Sequence, residues 1–290
     1  MQLLGDVLKK AADYLQQKNV SEPRLSADWL LAHVLGIKRM DLYLNFDRPM
    51  VEAELNTYRS YIARRAKEEP VSYIIGEQPF MGLNLKVNPH VLIPRQETEI
   101  LVEKVLEHLK SQDPLKGLDL CTGSGAIACA IKKYQNSTTM HASDISVEAL
   151  EMAKKNASSL NVDIVFHQSD LVNSIEDTFD FVVCNPPYIV QKVIDTLDNQ
   201  VKNFEPHLAL SGGIDGLDFY RKLASELPKI LNNQARIFLE IGFDQAEAVI
   251  DIFSNPPFYS ACCIKDLNEN NRCVMIDYTA SIKDKVCLAT

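Results

Sequence analysis

The chain has 290 residues, 46% of them apolar and 24% charged, with a formal net charge of −9. Such a length suits two domains of roughly 100–150 residues, the composition is that of a soluble globular protein with a sizeable core, and no window approaches the roughly 20 apolar residues of a membrane span. Residues 1–90 carry 12 Lys and Arg against 11 Asp and Glu, and the remainder carries 18 against 28, so the larger, acidic part is a poor electrostatic partner for a phosphate backbone and weighs against a nucleic-acid substrate.

The opening Met1-Gln2-Leu3-Leu4-Gly5-Asp6 lacks the basic segment and apolar stretch of a secretory signal, which predicts a cytoplasmic protein. Residues 2–67 read as helical. Val7, Leu8, Ala11, Ala12 and Leu15 share one helix face, Arg24 to Gly36 carries Leu25, Trp29, Leu30 and Leu31 with Gly36 as C-cap, and Val51 to Lys67 gives a third helix with a charged face. A small helical domain is therefore expected over residues 1–69. Alternation around Gly82 between Phe80 and Val87 predicts a hairpin within a connector spanning 70–94.

From residue 95 to 290 strand-like runs at 117–121, 139–144, 163–167, 179–184, 235–241 and 273–278 alternate with helical stretches at 97–110, 126–134, 146–158, 216–231 and 244–253. This pattern predicts an α/β domain, a doubly wound and mostly parallel sheet whose ligands gather at the carboxyl ends of its strands. The seven cysteines are odd in number and none are spaced C-x2-C. They predict reduced, mostly buried thiols, including Cys262 and Cys263 on opposite faces of a strand and Cys287 near the end, and no metal site.

Four segments carry chemistry. Asp119 and Cys121-Thr122-Gly123-Ser124-Gly125 form a strand end and a small-residue turn before a helix. The turn is neither a dinucleotide G-x-G-x-x-G nor a phosphate-binding loop with its Lys. S-adenosylmethionine suits it instead, because that cofactor has no phosphates and its cationic groups favour a carboxylate such as Asp119. The bland reading is a turn used for packing. Asp144, 19 residues after Gly125, stands where an acidic residue can accept both hydrogen bonds of a ribose diol; the alternative is a helix cap, shared with Ser146. Asp170 and Leu171 follow the next strand, placed for an adenine amine and ring or for a simple turn.

The fourth segment, Asn185-Pro186-Pro187-Tyr188, leaves the apolar run Phe181–Cys184. Asn185 offers a side-chain carbonyl and Pro186 a backbone carbonyl, so together they can accept both hydrogens of a planar NH2 group, and Tyr188 offers a ring face. Alignment and desolvation then carry a methyl transfer to nitrogen. A near copy, Asn255-Pro256-Pro257-Phe258, follows a helix and enters a strand; it is expected to be a Pro-rich turn.

Leu25–Gly36, Pro70–Gly76, Val91–Glu99, Glu205–Leu210 with Gly216-Leu217, and Leu239–Gly242 join these motifs in a pattern over nearly the whole chain. It resembles the protein-(glutamine-N5) methyltransferases that modify peptide chain release factors. The resemblance implies a Rossmann-like S-adenosylmethionine-dependent domain, a helical domain that docks the release factor, and methylation of the glutamine amide in a Gly-Gly-Gln loop, with no direct nucleic-acid substrate. The family usually has Gly where this chain has Cys121 and Pro where it has Gln96. A backbone φ below zero accepts cysteine at 121, whereas a positive φ makes it costly. Arg95 and Glu99 stand near the site without a defined role. A ribosomal-protein glutamine, an adenine N6 or a guanine N2 amine are the rival substrates, and a binding module that has kept the fold without the catalysis is the rival of another class.

Overall fold

The computed structural model describes residues 2–110 and 114–280; Cys287 lies outside them. The chain divides into two compact units, one of residues up to Glu77 with Asp198–Phe204, the other of Gln78–Leu197 with Glu205 onward.

The first unit packs α1 (Leu4–Gln17), α2 (Pro23–Leu35), α3 (Glu52–Arg65) and the short α4 (Val71–Ile75). Leu4, Val7, Leu8, Ala11, Ala12 and Leu15 of α1 are all buried, as their shared face requires. They meet Leu30 and Leu31 of α2, Tyr58 and Ile62 of α3, and Ile74 of α4. Gly36 ends α2 in the left-handed conformation at φ 63°. Inside this unit Arg65 is 3% exposed. Its guanidinium bonds Ser26 Oγ at 3.1 Å, Ser21 O at 3.2 Å and Glu69 O at 3.2 Å, which compensates the burial of a cation. Trp29, placed on the helical pattern of α2, is half-exposed instead.

The second unit opens with the hairpin β1 (Glu77–Phe80) and β2 (Leu83–Lys86), turned at Met81 and Gly82 with φ 49° and 70°. Of residues 70–94, α4 thus packs into the first core and most of the hairpin belongs to the second unit. There follow α5 (Glu99–Leu109), β3 (Lys116–Leu120), α6 (Ala126–Tyr134), β4 (Thr139–Asp144), α7 (Val147–Leu160), β5 (Ile164–Gln168) and β6 (Phe179–Cys184). The single turn α8 (Gln191–Ile194), and α9 (Asn199–Lys202) in the segment that belongs to the first unit, precede α10 (Asp218–Glu226), β7 (Leu231–Glu240), α11 (Ala246–Ile252), β8 (Phe258–Lys265) and β9 (Asn271–Tyr278).

The seven strands run in the order β5-β4-β3-β6-β7-β9-β8. The first five are parallel, and β9 and β8 close the edge antiparallel. The sheet is mostly parallel, as expected from alternating βα units. Its two faces carry separate cores, one around Phe179, Leu223, Ile237 and Phe253, the other around Val105, Ile131, Phe181 and Phe238. The residue alternation of β6 sends Phe181 and Val183 to the second core and Val182 and Cys184 to the first, and the irregularity between Phe179 and Phe181 puts Phe179 with the first as well.

Three sequence expectations change. The run at 235–241 is the end of a longer strand starting at Leu231, because a register shift between Phe179 and Phe181 absorbs extra residues of β7. The helix expected over 216–231 stops at Glu226, where Pro228 enters a tight 3-10 turn. Strand β8 is the strand expected after the second tetrapeptide, but it had no place among the strand-like runs: most of its residues are partly or wholly turned to solvent on an edge, so no continuous apolar stretch marks it. Cys262 on that strand is exposed rather than core, while Cys129, Cys184 and Cys273 are buried.

Asn156 of α7 joins the hairpin to the small-residue turn after β3. Fully buried, it accepts from Lys86 N at 2.7 Å and donates to Lys86 O and Ser124 O, both at 2.9 Å. Truncation would remove the partners of three backbone groups, that of Ser124 buried and those of Lys86 part-buried. Asn156→Ala is therefore expected to destabilise the protein by on the order of 2–4 kcal/mol, read by urea denaturation.

Candidate active site

The small-residue turn is built by its backbone. After β3, Cys121, Gly123 and Gly125 take φ of 57°, 55° and 77°. Asp119, fully buried, ties the turn together: its Oδ2 accepts from the Thr122 hydroxyl at 2.6 Å and from Ala128 N at 3.1 Å. Its Oδ1 is buried without a partner, and burial pushes this carboxyl up to about 7. A Cβ on Gly125 would come within 2.9 Å of the Ala153 methyl, so that position needs glycine for space as well as for φ.

Asp144 ends β4, beside the turn. Its Oδ2 accepts from Gly123 N at 2.8 Å and its Oδ1 from Ser146 N at 3.0 Å. Burial raises its carboxyl above the usual range. Ser146 caps α7 by accepting from Ala149 N at 3.1 Å, so capping falls to Ser146 and Asp144 faces the crevice. On β5's exit, Ser169 N donates to Asp144 O at 3.0 Å, and Leu171 is buried with φ 50°.

These segments converge on one cavity of about 230 Å³ at the carboxyl ends of β3, β4, β5 and β6. Cys121, Thr122, Gly123, Ser124, Asp144, Asp170, Leu171, Asn185 and Pro187 all line it. Asp119, Gly125, Pro186 and Tyr188 do not; Asp119 and Gly125 shape the turn from behind. Ile145 and Ile127 supply apolar wall, and Arg95 and Thr98 stand beside Asn185.

The tetrapeptide Asn185–Tyr188 is held from three sides. Asn185 Nδ2 donates to Thr98 Oγ1 at 3.4 Å, the Tyr188 hydroxyl donates to Glu240 Oε1 at 3.3 Å, and Gln245 Nε2 donates to Tyr188 O at 3.0 Å. Beyond it, Ile189 pairs with Ser211, and Gly212 N donates to Ile189 O at 2.8 Å. A Cβ on Gly212 would lie 2.7 Å from Tyr188 Cα, so this close approach admits no side chain. Burial raises the Tyr188 phenol, and Glu240, fully buried at the end of β7, is pushed up to about 7 by burial.

Arg95 and Glu99 acquire separate roles. Arg95 lines the cavity and pairs with Glu205, a buried carboxylate whose other oxygen accepts from Ile93 N at 3.3 Å. Glu99 is turned to the hairpin, where it accepts from Met81 N at 2.7 Å. Sequence alone did not single out Thr98, Glu240 or Gln245. The one signal was a charged residue, Glu240, inside the otherwise apolar run Ile237–Ile241. The second copy of the tetrapeptide lies between α11 and β8, away from the cavity. Among the described residues one group has metal-ligand composition, His141, His167 and Asp177. The two rings bond each other at 2.8 Å and Lys116 Nζ pairs with Asp177 at 2.5 Å, so the group is satisfied internally.

A mostly parallel sheet with this turn, an acidic residue on the next strand and an Asn-Pro-Pro-Tyr exit from β6 defines a Rossmann-like methyltransferase. Residues 96–214 match the methyltransferase small domain and residues 6–76 the PrmC N-terminal domain. A methyltransferase from Pyrococcus furiosus shares the fold at TM-score 0.51 and 16% identity, covering 69% of this chain and 90% of that one. The release factor glutamine methyltransferase of Geobacter sulfurreducens is 39% identical over 92% of this chain and 94% of its own length. That of Clostridium acetobutylicum is 40% identical over 94% and 97%. This chain belongs to the release factor glutamine methyltransferase family.

The strain and the buried charge of the site are both measurable. Cysteine at 121 occupies the left-handed region, the costly alternative raised by the sequence. Cys121→Gly should be tolerated because it releases roughly 1–2 kcal/mol of backbone strain, whereas Cys121→Val places a β-branched residue there and should lower the thermal midpoint. Asp119 and Glu240 are both raised from ordinary carboxylate values to about 7, so the folded protein holds protons that the unfolded chain has released. Their contribution to stability is full below the unfolded carboxylate values and is lost as pH rises through about 7. The urea midpoint of the ligand-free protein should fall as pH is raised across that range, and Asp119→Asn or Glu240→Gln should each flatten the fall.

Proposed function

We infer that this enzyme methylates the side-chain amide nitrogen, N5, of the glutamine in the Gly-Gly-Gln loop of a peptide chain release factor, with S-adenosylmethionine as donor. The observation that carries the reading is Asn185: it stands at the exit of β6 on the cavity wall with its Nδ2 turned to Thr98. Its Oδ1 is thereby left to accept. Names of relatives over most of the chain support the same substrate.

The cavity fits the cofactor by composition. Asp144 would take the ribose diol, Asp170 the adenine amine and Leu171 the ring. At Gly123 even an added Cβ would meet nothing within 4 Å, which leaves room for a ligand against the backbone. When bound, S-adenosylmethionine supplies an electrophilic methyl on a sulfonium centre. The chain's own residues do the rest. Asn185 Oδ1 and the Pro186 carbonyl each accept one hydrogen of the glutamine NH2, and Pro186 has no N–H to compete. An amide nitrogen is planar and a poor nucleophile in the ground state. Drawing both hydrogens to fixed acceptors favours a pyramidal nitrogen, a geometry reached only in the transition state, so the stabilisation is differential. The apolar wall excludes water, and alignment supplies the remaining acceleration. No strong base is needed beforehand, because the methylated nitrogen can lose its proton after transfer.

The helical unit would dock the release factor. It exposes Trp29, Met40, Tyr43, Leu44 and Phe46, a concentration of large apolar side chains of the kind that marks a protein-binding surface. The acidic balance of the other unit suits a protein substrate better than a nucleic acid.

The test is direct. Purified enzyme, S-adenosylmethionine and an unmodified release factor should yield one added methyl on the Gly-Gly-Gln tryptic peptide by mass spectrometry. Asn185→Ala should lower kcat by about 10²–10³ while S-adenosylhomocysteine still binds. Methyl label on RNA, DNA or a ribosomal protein, with the release factor untouched, would sink the assignment.

A further inference from the structure

Outside the cavity, one cluster joins two imidazoles and a carboxylate. His141 stands in β4, His167 in β5 and Asp177 in the loop before β6. Parallel pairing sets His167 opposite Ser143, two residues on from His141, so both histidines share one face of the sheet. One nitrogen or oxygen from each of the three residues lies within 4.8 Å of the other two. His141 Nδ1 is 2.8 Å from His167 Nε2 and 3.7 Å from Asp177 Oδ2. The His141 ring is buried, with Phe179 edge-on to it at 5.1 Å. His167 is half-buried and Asp177 exposed, so the cluster is walled on one side and open to solvent on the other. The bonds that satisfy the group also hold its ligand atoms together.

We propose that His141 Nδ1, His167 Nε2 and Asp177 Oδ2 form a zinc site with water as the fourth ligand. Tetrahedral zinc with bonds of about 2.0–2.2 Å sets its ligand atoms about 3.3–3.6 Å apart. The separations of 2.8 and 3.7 Å lie on either side of that spacing. Opening the ring pair by about half an ångström seats the ion. Two imidazole nitrogens with one carboxylate suit zinc and its first-row neighbours, whereas magnesium and calcium favour oxygen ligands. No cysteine takes part, so the expectation drawn from cysteine spacing is untouched. The ligands come instead from positions 26 and 10 residues apart, which no local motif marks.

Two features of the cluster bear on the binding step. A neutral imidazole carries one N–H, and between the rings one nitrogen donates to the lone pair of the other. Moving that hydrogen to the far nitrogen of the same ring leaves two lone pairs facing one point. The proton stays on the protein, so both rings remain neutral ligands. Lys116 Nζ pairs with Asp177 Oδ1 at 2.5 Å, which leaves Oδ2 on the His141 side. A ligating carboxylate is held in this way from its other oxygen, while the lysine charge repels the ion and keeps the affinity moderate. None of the three residues lines the cavity. His141 precedes Asp144 by three residues and His167 precedes Asp170 by three, so the ion would staple β4, β5 and the loop after Asp170 to one another. Its role is structural, and methyl transfer does not pass through it.

The experiment uses the full chain, freed of metal by a chelator, as wild type, His167→Ala and Asp177→Ala. Zinc chloride is titrated by calorimetry and cobalt(II) by absorption. Wild type should bind one zinc, and its thermal midpoint should rise at saturation. Each variant should raise Kd at least about 10-fold and lose the zinc-dependent rise. Neither altered side chain is part of the core, so both variants should fold, and the apo midpoint of each checks this. Cobalt should give visible bands without a thiolate charge-transfer band, which separates imidazole and carboxylate ligands from a thiol such as the exposed Cys262. A wild type that binds no zinc, equal Kd in all three proteins, or a thiolate band overturns the site.

Discussion

The site depends on where β3 sits in the sheet. It pairs with β4 on one side and β6 on the other, both parallel to it. The chain must therefore leave β3 toward one side and later return to the other, and a crevice opens at the carboxyl ends where the two directions part. The segments that line the cavity are strand exits at this crevice, loops laid across it and residues of α6, α7 and α10. The antiparallel pair β9 and β8 supplies none of the lining residues; it extends the edge beyond β7 and sets Cys273 opposite Glu240.

Two fully buried carboxylates stand behind the crevice, one on each side. Asp119 holds the turn after β3 through Thr122 and Ala128, and Glu240 holds the exit of β6 through Tyr188. Each has one oxygen bonded and one without a partner of good geometry, and each is raised to about 7 by burial. Both are acceptors used to orient donors: backbone and hydroxyl at Asp119, phenol at Glu240. Loops that lack regular secondary structure have their backbone groups set by such acceptors, and a neutral isostere would leave the direction of those hydrogen bonds undecided.

The fold was legible because alternating βα periodicity survives in strands buried on both faces, such as β3 and β6. Strand β8 could be anticipated only as the strand that the second tetrapeptide enters, because an edge strand needs no apolar run. The residues on the cavity wall were legible where spacing along the chain equals position in space: Gly123, Asp144 and Asn185 sit at consecutive strand ends, and each strand end is fixed by the strand before it. Thr98 and Glu240 were not, since they meet Asn185 and Tyr188 only across 87 and 52 residues of chain. Nothing local marks a threonine in a tight turn as the neighbour of the Asn185 amide. For Asp119, proximity in sequence to the turn suggested contact with a ligand, whereas its carboxylate is fully buried and bonds Thr122 and Ala128, a setting that only the folded backbone reveals. The conformation of Cys121 could be posed as a question from sequence, and only the backbone answered it, with φ 57°.

The two copies of the tetrapeptide show how little four residues decide by themselves. Asn185–Tyr188 follows a strand that ends at the crevice, so Asn185 and Pro187 are delivered to the cavity wall. Asn255–Phe258 follows α11 and leads into β8, and Asn255 is exposed with no structure to orient its amide beyond Ser254. The last residue differs by one oxygen. Tyr188 carries a hydroxyl that reaches Glu240, whereas Phe258 has none and packs edge-on against Phe253 at 5.0 Å. An asparagine carbonyl becomes a useful acceptor only when something else fixes its other end, and a tyrosine ring holds a loop only when its hydroxyl has a buried partner. At the first copy Thr98 and Glu240 supply those partners from distant parts of the chain; at the second the chain supplies neither, and the same letters make a turn.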